Sequence, residues 1–205
     1  MRNKILTLHS IAGYAMEIAI WKMLRDICKC LETRGLGLEV IDERCCLSPG
    51  VIQVDGDEFR IIKATLPNEE LEKFLAPETE KKSLNLETAL VWSIGALVCY
   101  MSSGHYVFGG RGGEYQRRHP AVGLPVLRKE HETLTNIVHR CMQYHPTERI
   151  TLSELKMLSD QGYKRCLEEV AHNTFRIEED VRRYDNENMQ EQGMSSSSHF
   201  WPEEM

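Results

Sequence analysis

Between Leu84 and Met101 the chain carries Leu84, Leu86, Ala89, Leu90, Val91, Trp92, Ile94, Ala96, Leu97, Val98 and Tyr100. Wound as a helix, this run is apolar on every side, and such a helix belongs in the middle of a core. The rest of the chain must therefore supply the layers that cover it. Gly104, just beyond the run, suits a helix end.

The covering segments can be read by period. Tyr14, Ile18, Trp21, Leu24, Cys28 and Leu31 recur at steps of three or four, which predicts a helix over 11–34. Ser10 would cap it, and Gly35 would end it. Val51–Val54 and Phe59–Ile62 are two β-rich runs around Asp55-Gly56-Asp57-Glu58, a hairpin pattern. Leu36–Ile41 could add another short strand. His105–Leu124 is rich in Gly and basic residues and reads as a long surface loop. Lys129–Gln143 and Thr151–Ser159 are amphipathic, and His145-Pro146 separates them. Thr151 with Glu154 three residues on is a capping-box pattern. The fold class is therefore mainly α with a small β-hairpin. The helices over 11–34 and 86–102 should pack together, with Trp92 buried.

The net charge of −6 over 205 residues is unevenly spread. Residues 167–205 hold ten acids against three bases, a net −7, while residues 1–166 stand at +1. Two regions follow: a folded body over 1–166 and an acidic tail over 167–205. Leu167, Val170, Phe175, Ile177, Val181 and Tyr184 would allow one or two docked helical turns. From Asp185, a polar stretch with Ser195–Ser198 reads as disordered. Phe200, Trp201 and Pro202 then return aromatic surface at the end of a polar linker, the pattern of a binding anchor. In the body, Arg111, Arg117, Arg118 and His119 form a basic cluster that could take an acidic partner segment, or this chain's own tail.

The acidic balance argues against nucleic acid as a partner, and no apolar run is expected to reach membrane-span length. Seven cysteines, an odd count without a C-x-x-C pair, point to a reducing compartment rather than to disulfides or zinc. The expected location is the cytoplasm. Gly109-Gly110-Arg111-Gly112-Gly113 lacks the Lys-Ser/Thr of a phosphate loop.

Three motifs in order resemble the C-terminal lobe of eukaryotic-type protein kinases. Phe74-Leu75-Ala76-Pro77-Glu78 is similar to the Ala-Pro-Glu motif that closes the activation segment. Val91-Trp92-Ser93-Ile94-Gly95 through Gly104 resembles the family's central helix. Cys141 through Thr151 resembles its late C-x-x-x-D-P-x-x-R-P-T segment. The resemblance covers about residues 10–160. It implies a helical domain of kinase C-lobe type without the N-lobe, in which Glu78 pairs with Arg149.

The same resemblance implies lost chemistry. Kinase catalysis needs a Gly-rich loop, a strand Lys, a base Asp and metal-binding Asn and Asp. With ten residues ahead of the first helix, the expectation is that the Gly-rich loop and the strand Lys are absent. Leu47-Ser48-Pro49-Gly50-Val51-Ile52-Gln53-Val54 aligns with the catalytic loop, so Cys46 stands for the base Asp, Ser48 for the Lys and Val51 for the Asn. Phe59–Thr65 aligns with the next motif, so Lys63 stands for the second metal Asp. Lys63 should point toward where a nucleotide would have been. Leu90 takes the place of the Asp that braces the catalytic loop. Asp42 is a conceivable shifted base. The expectation is no catalytic residue, no metal, no cofactor, and neither ATP nor Mg²⁺. The chain would act as an interaction, scaffold or regulatory module for a kinase, a phosphatase or another signalling protein. The alternative is the C-lobe half of a split or atypical Ser/Thr kinase, completed by an N-lobe on another chain.

Overall fold

The computed structural model describes residues 6–10, 12–13, 15–34, 46–79 and 84–195. Two compact units divide the chain at 1–163 and 164–205, whereas the charge pattern suggested a break after Cys166. Leu36–Ile41, Asp42 and Gly35 lie outside the described residues, as do Phe200, Trp201 and Pro202.

The first unit is built around α3, Leu86–Ser103. Its residues from Ala89 to Ser102 are all buried, as the apolar run requires. Asn85 caps the helix by accepting the Thr88 N–H at 3.2 Å. Gly104 ends it in the left-handed region at φ 73°, where a side chain would be strained. The helix is long and apolar enough to cross a membrane by length and composition, against expectation, but 78% of that window is buried inside the protein.

Helix α1, Glu17–Arg34, packs on α3 and on the sheet. It begins six residues later than its apolar period suggested. The reason is local: Gly13 takes φ 79° and donates its N–H to the Met101 carbonyl at 2.9 Å, which is no helical geometry. Ser10 sits in a short 3₁₀ turn over Leu8–Ser10 and starts no α-helix.

The sheet has three antiparallel strands in the order β1 (Leu6–Thr7), β2 (Ile52–Asp55) and β3 (Glu58–Ile61). β2 and β3 form the expected hairpin, with Asp55 opposite Glu58 and Ile52 opposite Ile61. Gly56 opens the two-residue turn at φ 62°. Phe59 and Ile61 are buried while Glu58 and Arg60 are exposed, the alternation of a half-covered strand. Asp26 of α1 accepts the Phe59 N–H at 3.1 Å and the Lys22 ammonium at 2.7 Å. One carboxylate thus ties the helix to the hairpin. β1 was not foreseen, because two residues are too short to show a period.

Helix α2, Asn68–Glu72, follows the hairpin. Helix α4, Gly112–Arg118, replaces the surface loop expected over His105–Leu124. Helix α5, Glu132–Cys141, packs on α3. The contact is close because Gly95 has no side chain: a Cβ there would lie 2.7 Å from Met142 Cγ and 2.8 Å from Cys141 Cβ. Helix α6 runs from Leu152 to Ser195. Thr151 caps it, its Oγ1 accepting the Glu154 N–H at 3.2 Å. Within the first unit, Trp21 of α1 lies over Gly162, where a Cβ would fall 2.4 Å from the indole. Beyond residue 163 the helix continues through the polar stretch from Asp185, which composition had read as disordered. That stretch has no proline before Ser195, and Glu, Gln and Met are good helix formers.

Candidate functional site

Segment 72–79 and the start of α4 face each other across a cleft of about 430 Å³. Glu72, Leu75, Pro77 and Thr79 line one wall; Gly110, Arg111, Glu114 and Arg117 line the other. Two of the three arginines of the basic cluster are therefore at this cleft, facing the Ala76-Pro77 segment.

Glycines bring the two walls together. A Cβ on Gly113 would lie 2.4 Å from Pro77 N and 2.5 Å from the Leu75 carbonyl oxygen. Gly112, at φ 50°, would place one 2.3 Å from the Glu72 carbonyl oxygen. Their missing side chains let α4 lie directly on backbone, and the Gly113 N–H donates to the Leu75 carbonyl at 2.9 Å. The reading of this stretch as a loose surface loop fails for that reason. Glycine lowers helix propensity by about 1 kcal/mol, but here a close tertiary contact decides the conformation.

The wall on the α4 side is anchored from beneath. Trp92 Nε1 donates to Gln116 Oε1 at 2.9 Å, and Gln116 Nε2 donates to the Met142 carbonyl at 2.9 Å. All three residues are buried, so α4 is fastened to both α3 and the end of α5. Ahead of α4, Phe108 holds φ 50°, uncommon for a residue with a side chain. Its ring centroid lies 5.7 Å from that of Tyr115.

The opposite wall is anchored by Glu78 and Arg149. Arg149 Nη1 donates to Glu78 Oε1 at 2.5 Å, and Nη2 donates to Oε2 at 2.8 Å. Their side chains are 6% and 0% exposed. Arg149 also donates to the carbonyls of Gln143, Thr88 and Tyr144, at 2.8, 2.8 and 3.3 Å. One guanidinium fork thus ties the cleft wall to the start of α3 and to the segment after α5.

At the mouth, the Arg111 guanidinium stacks on the Tyr115 ring, 4.0 Å from its centroid. Arg118 pairs with Glu114 at 2.5 Å across one helical turn. Arg111, Arg117, Arg118 and His119 are all exposed. The cleft therefore offers guanidinium and carboxylate groups beside Leu75 and Pro77, which suits recognition of a charged segment.

The positions aligned with kinase catalytic residues are elsewhere. Cys46 and Val51 are buried, and Lys63 is exposed just after β3. Cys46 Sγ lies 3.9 Å from the Leu71 carbonyl oxygen. The loop between Cys46 and Val51 is nonetheless braced from α3. Ser93 Oγ accepts the Leu47 N–H at 3.1 Å and donates to the Leu90 carbonyl at 2.8 Å. Glu70 Oε1 accepts from Ser48 Oγ at 3.1 Å and from the Gly50 N–H at 3.2 Å.

Sequence reasoning missed what Glu70 gathers. His9 Nε2 lies 3.2 Å from Glu70 Oε1, and His9 Nδ1 lies 2.9 Å from the Tyr100 hydroxyl. Tyr100 stacks on Tyr106 with ring centroids 4.9 Å apart. Burial, then the neighbouring Tyr106, pushes the Tyr100 phenol up to about 12. These residues are scattered along the sequence, so no spacing announces them. Among the described residues, no group of three or more His, Cys, Asp or Glu could hold a metal ion. No protein-family model matches the chain, and no curated protein matches it at a significant level.

Proposed function

We propose that this chain is a non-catalytic protein of kinase C-lobe type that works as a protein-interaction module in cytoplasmic signalling. The observation that carries the reading is the buried Glu78–Arg149 fork, which holds segment 74–78 as one wall of a charged cleft. Glu78 and Arg149 come from the first and last of the three kinase-like motifs, and Trp92 of the middle motif anchors the facing wall through Gln116. The bracing of residues 47–50 by Ser93 and Glu70 also fits a C-lobe whose loop is kept as structure. The occupants of the aligned catalytic positions point the same way: a buried thiol, a buried Val and an exposed cation are poor substitutes for two metal ligands and a base. The described cysteines are free thiols, consistent with a reducing compartment.

The cleft would take an exposed acidic segment of a partner against Arg111 and Arg117. The test pairs two measurements on the full chain. Mg²⁺-ATP should leave its melting temperature unchanged. A partner captured from the native cell, then purified, should bind the chain directly and lose at least tenfold in affinity to an R111E/R117E variant. ATP-dependent stabilisation without a partner would overturn the reading, as would a partner indifferent to that variant.

A further inference from the structure

Beyond residue 163, α6 runs within the second unit as far as Ser195 and carries its own apolar stripe. Leu167, Val170 and Ile177 are 45%, 52% and 63% exposed. With Thr174, Val181, Tyr184 and Asn188 they recur at alternating steps of three and four, from Leu167 onward. That is the a/d pattern of a coiled coil, with a at 167, 174, 181 and 188 and d at 170, 177 and 184. The pattern holds for three heptads, from Leu167 to Asn188, about 33 Å of helix, and the next d position is Glu191. Thr174 Oγ1 donates to the Val170 carbonyl at 2.9 Å, so its hydroxyl is satisfied within the helix.

A helix of this length gains little from itself. Its exposed i,i+4 pairs, Lys164–Glu168, Arg165–Glu169 and Arg182–Glu178, stand at 3.7–3.8 Å. Each such exposed pair stabilises a helix only weakly. Burying the apolar stripe is the larger stabilisation open to it.

The flanking positions choose the occupant. The e positions are Ala171, Glu178 and Asp185, and the g positions are Asn173, Asp180 and Glu187. Every charged residue among them is acidic. A second copy would set acid against acid in either orientation: e faces g in parallel pairs, and like positions face each other in antiparallel pairs. Arg182, beside Glu178, lies at a b position outside the flanks. A partner helix with Lys or Arg at e and g would meet opposite charge from Glu178 to Glu187.

We propose that residues 167–188 are one strand of a heterodimeric coiled coil whose partner is a helix with an a/d apolar stripe and basic e and g flanks. The stripe shares no residue with the cleft, and the proposal stands whether or not the cleft reading holds. Asn188 at an a position would favour a single register and two strands.

The test uses the full chain and three labelled peptides of four heptads. The first has Ile and Leu at a and d with Lys at every e and g. The second replaces those Lys with Glu. The third scrambles the first, so that charge is kept and the heptad is lost. Fluorescence anisotropy at 150 mM salt should show the Lys peptide binding at least tenfold more tightly than either control. V170E/I177E should abolish that binding while circular dichroism shows the protein still folded. E178K/D180K/D185K/E187K should reverse the preference toward the Glu peptide. Binding equal to the scrambled peptide would reduce the effect to bulk charge and overturn the proposal. So would failure to bind the Lys peptide, retention in V170E/I177E, no reversal in the quadruple variant, or sedimentation of the free chain as a coiled-coil homodimer.

Discussion

Replacing Arg149 with Ala removes one side chain and strands another. The guanidinium makes five hydrogen bonds, two to Glu78 and three to backbone carbonyls. Glu78 is 6% exposed, so in the variant its carboxylate would be left buried without a cation. Breaking a buried pair from one side costs roughly 3–5 kcal/mol, because the remaining charge keeps its desolvation penalty. The orphaned carbonyls push the cost toward the upper end. For a unit of this size the loss corresponds to a fall in melting temperature of roughly 6–20 °C. Urea denaturation followed by tryptophan fluorescence reads the free energy, and calorimetry reads the shift. Adding Glu78→Gln to Arg149→Ala should recover part of the loss, because a neutral amide is cheaper to bury than a carboxylate. If Arg149→Ala costs under 1 kcal/mol, or if Glu78→Gln makes the variant worse, the clamp does not hold the wall in the manner described.

Other outcomes follow from single contacts. Gly113→Ala should cost about 1–3 kcal/mol by urea denaturation, since its Cβ would meet the Pro77 and Leu75 backbone. Gly56→Ala, with nothing within 4 Å, should lose only the smaller cost of a positive φ. Gln116→Leu should destabilise by about 1–3 kcal/mol by the same assay, because the Trp92 Nε1–H and the Met142 carbonyl both lose their partner. Burial pushes the Cys28 and Cys99 thiols up to about 12 from 9.0, and pushes Cys141 up as well. The unfolded chain therefore releases these protons first as pH rises past about 9, and stability should fall there. The slope is up to about 1.4 kcal/mol per pH unit for each thiol. At pH 8 these thiols should resist a disulfide reagent until denaturant is added.

How much of this was legible depends on where the information lies. The α3 run shows in the sequence because a helix surrounded by protein needs no polar face. The hairpin shows because Asp-Gly and β-branched residues act over four positions. Both signals are local. The cleft is not local: Arg111 and Arg117 could be seen as a basic cluster, but the wall facing them comes from residues 72–79, some forty positions earlier. The glycines of α4 read as a surface loop on propensity alone and make sense only against the Pro77 backbone. The Glu70–His9–Tyr100 group joins residues 61 and 91 positions apart, beyond any periodic signal. The helical stretch after Asp185 was obscured for the opposite reason, since polar composition describes both a disordered tail and a solvated helix.

The Glu78–Arg149 fork also bears on the order in which the molecule assembles. It joins residues 71 positions apart, and closing a chain loop of that length costs on the order of 4 kcal/mol of conformational entropy. The α3 packing buries many more residues than the fork does. A contact that closes late should act on opening: Arg149→Ala should raise the unfolding rate in stopped-flow measurements far more than it lowers the folding rate, and an equal loss in the folding rate would place the fork in the folding nucleus. A wall fastened at both oxygens of one carboxylate has little freedom to shift against the start of α3, which favours one shape of cleft over an ensemble.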